Sequence, residues 1–71
     1  MATEVLSEVT GTVWKVEMSV GDTVEEGDVI MILESMKMEI PIEAPESGTL
    51  SAIHVQPEQP IEEDQLLAEI S

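Results

Sequence analysis

The sequence predicts an all-β domain, a barrel or sandwich built from short strands, on three observations. Runs of β-branched and apolar residues recur along the chain, separated by Gly, Pro and Asp turn signals. No window holds a sustained i, i+3, i+4, i+7 apolar stripe free of turn residues, so no helix is expected. An offset of 37 residues also superimposes the halves: Gly11-Thr12-Val13 lies over Gly48-Thr49-Leu50, and Val24-Glu25-Glu26 over Ile61-Glu62-Glu63. Val16 lies over Ile53, and Val29, Met31 and Leu33 over Leu66, Ala68 and Ile70. Neither half can bury its apolar residues alone, so the two pack on each other about a pseudo-two-fold axis.

Taken in order, Thr3 to Val9 opens as a strand and Thr10-Gly11 is a turn or bulge signal. Thr12 to Met18 is a strand rich in β-branched residues. Val20-Gly21-Asp22 and Glu26-Gly27-Asp28 are turns flanking Thr23-Val24, their glycines suited to positive φ. Val29 to Leu33 is an apolar strand, and Met38 to Ala44 alternates as its partner. Pro41 within that partner has no amide proton to give a ladder, which predicts an edge or a bulge there. Ala44 to Gly48 is a loop, Thr49 to Val55 a strand, Pro57 to Pro60 a turn, and Leu66 to Ile70 the closing strand.

Residues 1–71 are expected to form one domain, and a chain this short buries only ~60% of the surface it exposes when unfolded. Cysteine is absent, which excludes disulfides and thiolate metal sites and fits a reducing compartment. The N-terminus has no basic region or apolar core of a signal peptide and no arginine of a transit peptide, so a cytoplasmic protein is expected. Sixteen acids against two lysines give a formal charge of −14. That balance argues against nucleic acid and anionic membranes, which call for basic patches. The acids divide evenly between the halves, so there is no acidic tail. A solvated surface that maintains solubility accounts for them; steering onto basic partner enzymes is the alternative.

Lys37 is one of the two lysines and lies between the two central strands, in Glu34-Ser35-Met36-Lys37-Met38-Glu39. Two strands separated by about two residues read as a hairpin, which puts Lys37 at an exposed tip. Glu34 to Met38 resembles the attachment motif of biotinyl domains, the carrier modules of biotin-dependent carboxylases. In that family the lysine between two methionines receives biotin through an amide bond. Lys37 matches that lysine, and Met36 and Met38 match the methionines beside it. The resemblance spans essentially the whole chain. Gly11, Gly21-Asp22 and Gly27 match the first-half turns, and Ala44-Pro45 with Gly48 the loop after the attachment hairpin.

In the register of the repeat the tip follows the first half and the terminus the second, so tip and termini are expected at opposite ends. The resemblance implies a flattened barrel of two four-stranded antiparallel sheets. It further implies that a biotin–protein ligase reads Glu34, Ser35 and Glu39 with the methionines, and that Lys37 attacks biotin activated as its adenylate. A biotin carboxylase and a carboxyltransferase, the latter of an acyl-CoA carboxylase, would then share the carboxylated biotin. No residue of the chain is expected to be catalytic or to bind a metal, and the domain is expected to be monomeric. Its length and Met1 suggest a free-standing carrier subunit. Two departures stand in the second half, where Glu58 and Asp64 replace glycines and put the turn geometry at Glu58 in question. A lipoyl carrier is the alternative, although that family places aspartate before its lysine where Met36 stands here. An unmodified binding module on the same fold is the third reading.

Other residues carry less. His54 is the sole histidine, without the further ligands or the nucleophile a metal or catalytic site requires, and reads as a partly solvated strand residue. Trp14 lies over Ser51 in the repeat, so it is expected outside the deep core, covering an edge of the barrel. Met18 and Met31 read as core filling.

Overall fold

The computed structural model describes residues 2–71. Its strands are β1 (Thr3–Leu6), β2 (Gly11–Val16), β3 (Thr23–Val24), β4 (Val29–Ser35), β5 (Met38–Glu43), β6 (Gly48–Ile53), β7 (Pro60–Ile61) and β8 (Leu66–Ile70). They form two four-stranded antiparallel sheets, ordered β1-β8-β6-β3 and β5-β4-β2-β7. Adding 37 to every residue of the first half converts one order into the other. Among the described residues no helix is long and apolar enough to cross a membrane.

The repeat holds at the level of single hydrogen bonds. Gly21 N–H donates to the Leu50 carbonyl at 2.8 Å, and its counterpart Glu58 N–H donates to the Val13 carbonyl at 2.6 Å. Gly27 N–H donates to Ala44, and its counterpart Asp64 N–H to Ser7. The turn amides of Ser19 and Glu25 donate to the side chains of Asp22 and Asp28; those of Gln56 and Glu62 donate to Gln59 and Gln65. A glutamine amide oxygen thus replaces a carboxylate oxygen without altering either turn. Glu58 and Asp64 take φ of 71° and 67°, the left-handed region that Gly21 and Gly27 occupy at 97° and 92°. The question raised by Glu58 is answered: the turn is retained and a non-glycine residue bears the strain.

Strand irregularities are repeated too. The β2–β4 register slips between Val13 and Lys15, and the β6–β8 register between Leu50 and Ala52, so Trp14 and Ser51 are equivalent bulges. A second pair lies at Ile30 and Leu67. Each extra residue breaks the alternation of the strand, which is why Ile30 and Met31 are both buried, as are Leu67 and Ala68.

The core consists of repeat partners: Val5 with Ile42, Val13 with Leu50, Val24 with Ile61, Ile30 with Leu67, Met31 with Ala68 and Leu33 with Ile70. Each large aliphatic side chain so buried contributes about 1.5–3 kcal/mol of transfer free energy. Ser7, the partner of Ala44, is the one buried polar residue described; its hydroxyl donates to the Val9 carbonyl at 2.6 Å. Met31 is fully buried and Met18 packs against the core, as expected of filler.

Three strand expectations are corrected at their ends. β1 stops at Leu6 rather than Val9, because Ser7 turns the chain and exchanges backbone hydrogen bonds with Asp64 and Gln65. β2 stops at Val16 and β6 at Ile53, each followed by one more ladder bond, from Glu17 to Ile30 and from His54 to Leu67. His54 therefore sits just past its strand, its Nε2 2.8 Å from the Glu69 carboxylate. Trp14 does not cover an edge: β2 is an interior strand, and the bulge turns the half-exposed indole outward beneath Lys15 Nζ, 5.8 Å from the ring centroid. Pro41 lies in β5, an edge strand, as its missing donor requires.

Candidate functional site: the β4–β5 hairpin

β4 and β5 pair in register up to Glu34 opposite Glu39 and Ser35 opposite Met38, leaving Met36 and Lys37 to close the turn. Their φ values are 53° and 66°. Two consecutive positive φ angles define the type I′ turn, whose twist matches that of the strands and which normally selects Asn-Gly. Here neither residue is favoured locally, and each left-handed residue costs roughly 1–2 kcal/mol.

The hairpin is held from below. Leu33 is wholly buried at its base. Ser35 Oγ donates to the Thr10 carbonyl at 2.9 Å, and Thr10 Oγ1 accepts from the Glu63 amide at 3.3 Å. Gly11 passes directly beneath β4: a β-carbon there would collide with the Glu34 carbonyl oxygen and lie 3.1 Å from Ser35 Cβ. Sequence reasoning read Thr10-Gly11 as a turn or bulge signal, not as a close approach of two strands. The available signal was that Gly11 lies over Gly48 in the repeat, and Gly48 is also confined, against Ile70 and Ser71.

Above this platform the side chains project freely. Met36 is 91% exposed and Met38 62%. Lys37 is exposed, and neither the Lys15–Glu17 ion pair nor the His54–Glu69 hydrogen bond of the described residues includes it. Glu34 and Glu39 are exposed directly opposite each other. Ser35 differs from the other motif residues: it is half-buried and its hydroxyl is engaged inward.

The chemistry available is that of one primary amine on a long stem at the end of a narrow support. A surface groove runs between the open edges of β1 and β5, lined by Glu4 to Glu8, Pro41 to Pro45, Glu63 and Asp64. It includes none of residues 34–39. The exposed, projecting Lys37 amine fits a covalently attached group. No cluster of three or more His, Asp or Glu among the described residues could hold a metal.

The tip and the termini occupy opposite ends. β5 leads away from Lys37 for six residues, roughly 20 Å at ~3.4 Å per residue. Beyond it Thr3 Oγ1 donates to the Glu46 carboxylate, and Ser71 exchanges hydrogen bonds with Thr49.

Comparison with known proteins agrees with this geometry. Residues 1–70 match the biotin/lipoyl family model, described as biotin-requiring enzyme. The chain is 42% identical over 71 residues to a biotinylated protein TB7.3 homolog of Mycobacterium leprae, covering all of both chains. It is 48% identical over 60 residues to the pyruvate carboxylase of Bacillus subtilis, 84% of this chain but 5% of that enzyme. Among solved structures, the urea carboxylase of Kluyveromyces lactis superimposes with a TM-score of 0.95 at 38% identity, covering all of this chain and 6% of that one.

Proposed function

We infer the function from one premise: this chain belongs to the biotin and lipoyl attachment family of biotin-requiring enzymes. The reading is a biotin carrier with Lys37 as its attachment residue. The observation that carries it is Lys37 itself, an exposed, unpaired amine on a two-residue turn that local preference would fill with Asn-Gly. Glu58 and Asp64 are left-handed too, as single residues in the repeat's turns. What sets this turn apart is two consecutive left-handed residues presenting an exposed lysine between exposed methionines, a local violation of the kind found at functional sites.

Attachment asks little of the rest of the chain. A biotin–protein ligase presents an activated biotin carboxyl carbon; deprotonated Lys37 Nζ attacks it, the amide C–N bond forms, and the activating nucleotide leaves together with a proton. Met36 and Met38 offer the ligase apolar contacts beside the amine, and Glu34 and Glu39 offer charge. Ser35 acts from below by fastening β4 to Thr10. When bound, biotin supplies the carboxyl-accepting chemistry that no side chain of this protein provides. The chain contributes reach and tethering: the lysine stem extends from the hairpin, and attachment keeps the cofactor at high effective concentration near two active sites. Those sites belong to a biotin carboxylase and to a carboxyltransferase, which we assign to an acyl-CoA carboxylase on the 42% identity over 60 residues to the biotin-dependent acyl-coenzyme A carboxylase alpha3 subunit of Mycobacterium leprae. We place this carrier, a monomeric non-catalytic domain, in the cytoplasm.

Intact-mass measurement tests the assignment. Incubation with a biotin–protein ligase, ATP and biotin should add one biotinyl group to the chain and none to Lys37→Arg, although Lys15 remains. A lipoyl adduct in place of biotin would transfer the protein to the other branch of its family. A biotinyl group on Lys15 would remove Lys37 from its assigned role.

A further inference from the structure

The five methionines are the only sulfur residues of this cysteine-free chain, and the four that the structure describes are exposed unevenly. Met31 has no exposed surface and Met18 packs against the core. Met36 and Met38, 91% and 62% exposed, flank Lys37 at the end of the β4–β5 hairpin. Thioether oxidation follows access, and no thiol is present to intercept an oxidant. A small neutral oxidant such as hydrogen peroxide also reaches the tip without being repelled by the acidic surface.

We propose that Met36 and Met38 form a reversible oxidation site whose state gates modification of Lys37. The inference rests on the assignment of Lys37 as the attachment residue. In the forward step the thioether sulfur attacks one oxygen of hydrogen peroxide. The S–O bond forms as the O–O bond breaks, and the departing hydroxide leaves as water after proton transfer. Sulfur is oxidised by two electrons and the peroxide reduced by two. In the return step a methionine sulfoxide reductase, drawing on a dithiol, removes the oxygen as water and leaves a disulfide.

The consequence follows from polarity. Oxidation turns a flexible apolar side chain into a polar, chiral one. A ligase surface that encloses Met36 and Met38 as apolar contacts must then bury a sulfoxide oxygen without a partner, which lowers ligation about tenfold or more. The fold itself is spared, because neither side chain contributes to the core. Oxidation therefore separates attachment from stability.

The experiment uses the unbiotinylated chain, treated with graded hydrogen peroxide. Peptide mass mapping should show sulfoxide at Met36 and Met38 well before Met31. Ligation of biotin, followed by intact mass, should slow about tenfold or more as the tip oxidises. Reductases for both sulfoxide epimers, acting together, should restore the untreated rate. A variant carrying Met36→Leu and Met38→Leu, compared only with itself before and after peroxide, should show no change, although Met1, Met18 and Met31 remain. An undiminished rate with both tip methionines oxidised would overturn this inference and leave the carrier assignment intact. So would a peroxide effect that persists in the double variant. Failure of the untreated chain to accept biotin would overturn the carrier assignment, and this inference with it.

Discussion

Glycine and glutamate do the same work at equivalent places in this protein, and the difference between them is measurable. Gly21 and Glu58 occupy one turn in two copies, both at positive φ and both donating to a carbonyl of the opposite half. A left-handed residue with a β-carbon costs about 1–2 kcal/mol, partly offset because glycine loses more entropy on folding, ~0.4–1 kcal/mol. Glu58→Gly should therefore stabilise the domain by up to about 1 kcal/mol, a rise of roughly 4–8 °C in Tm for a chain of this size. Gly21→Glu should lower Tm comparably, since a β-carbon at Gly21 meets nothing within 4 Å and the penalty is purely conformational. Thermal unfolding of both variants checks the pair; an unchanged Tm in Glu58→Gly would show that the glutamate is unstrained. This strain was not legible in the sequence. Glu58 and Asp64 stand where the repeat calls for glycine, which flags the positions, but only tertiary hydrogen bonds decide that the turn survives.

At the scale of elements, the attachment hairpin and the glycine beneath it form one device, and the repeat supplies its control. Gly11 touches the backbone of Glu34 and leaves no room for a methyl group. Gly11→Ala should destabilise the domain by about 3 kcal/mol, the upper range of overpacking, and displace the end of β4, so that ligation at Lys37 slows even among folded molecules. Gly48 is confined at the other end, where a β-carbon would lie 2.7 Å from Ile70 Cγ2 and from the Ser71 carbonyl oxygen. Gly48→Ala should cost about 1–3 kcal/mol, because its contacts are less severe than that of Gly11 and one of them is a side-chain methyl that can move, and should leave ligation per folded molecule unchanged. Equal loss of ligation in both variants would mean that Gly11 acts through global stability alone. Most of the elements were readable: the repeat fixed the pairing of the halves, and the motif located the hairpin. The bulges were not. Val29 to Leu33 is apolar throughout, so the shift of phase at Ile30 leaves no mark, and Trp14 shows its bulge only through its lighter partner, Ser51. Nor could composition reveal that Ser35 faces Thr10 rather than solvent, because that depends on where a distant turn arrives.

For the molecule as a whole, charge is the dominant unspent quantity. Sixteen acids face two lysines, and among the described residues Lys15–Glu17 is the one lysine–carboxylate pair. Glu4 stands opposite Glu69 in one sheet and Glu34 opposite Glu39 in the other, an arrangement that destabilises when charges are alike. The domain measures 32 × 17 × 17 Å. At 0.01 M salt the screening length is about 30 Å, so nearly every carboxylate feels every other; at 1 M it is about 3 Å and only close neighbours interact. Unfolding separates the charges, hence repulsion favours the unfolded chain most at low salt. Tm should rise by roughly 5 °C or more between those concentrations, equivalent to about 1 kcal/mol for a domain of this size. The rise should be the same for sodium and potassium chloride at equal ionic strength, as screening requires and specific cation binding does not. A flat or falling curve would show that the acids are spaced widely enough to be energetically silent. A steep curve has a corollary for recognition. The carboxylates beside Lys37 then contribute to the same field, and a partner approaching the tip with basic groups relieves repulsion that folding alone leaves in place.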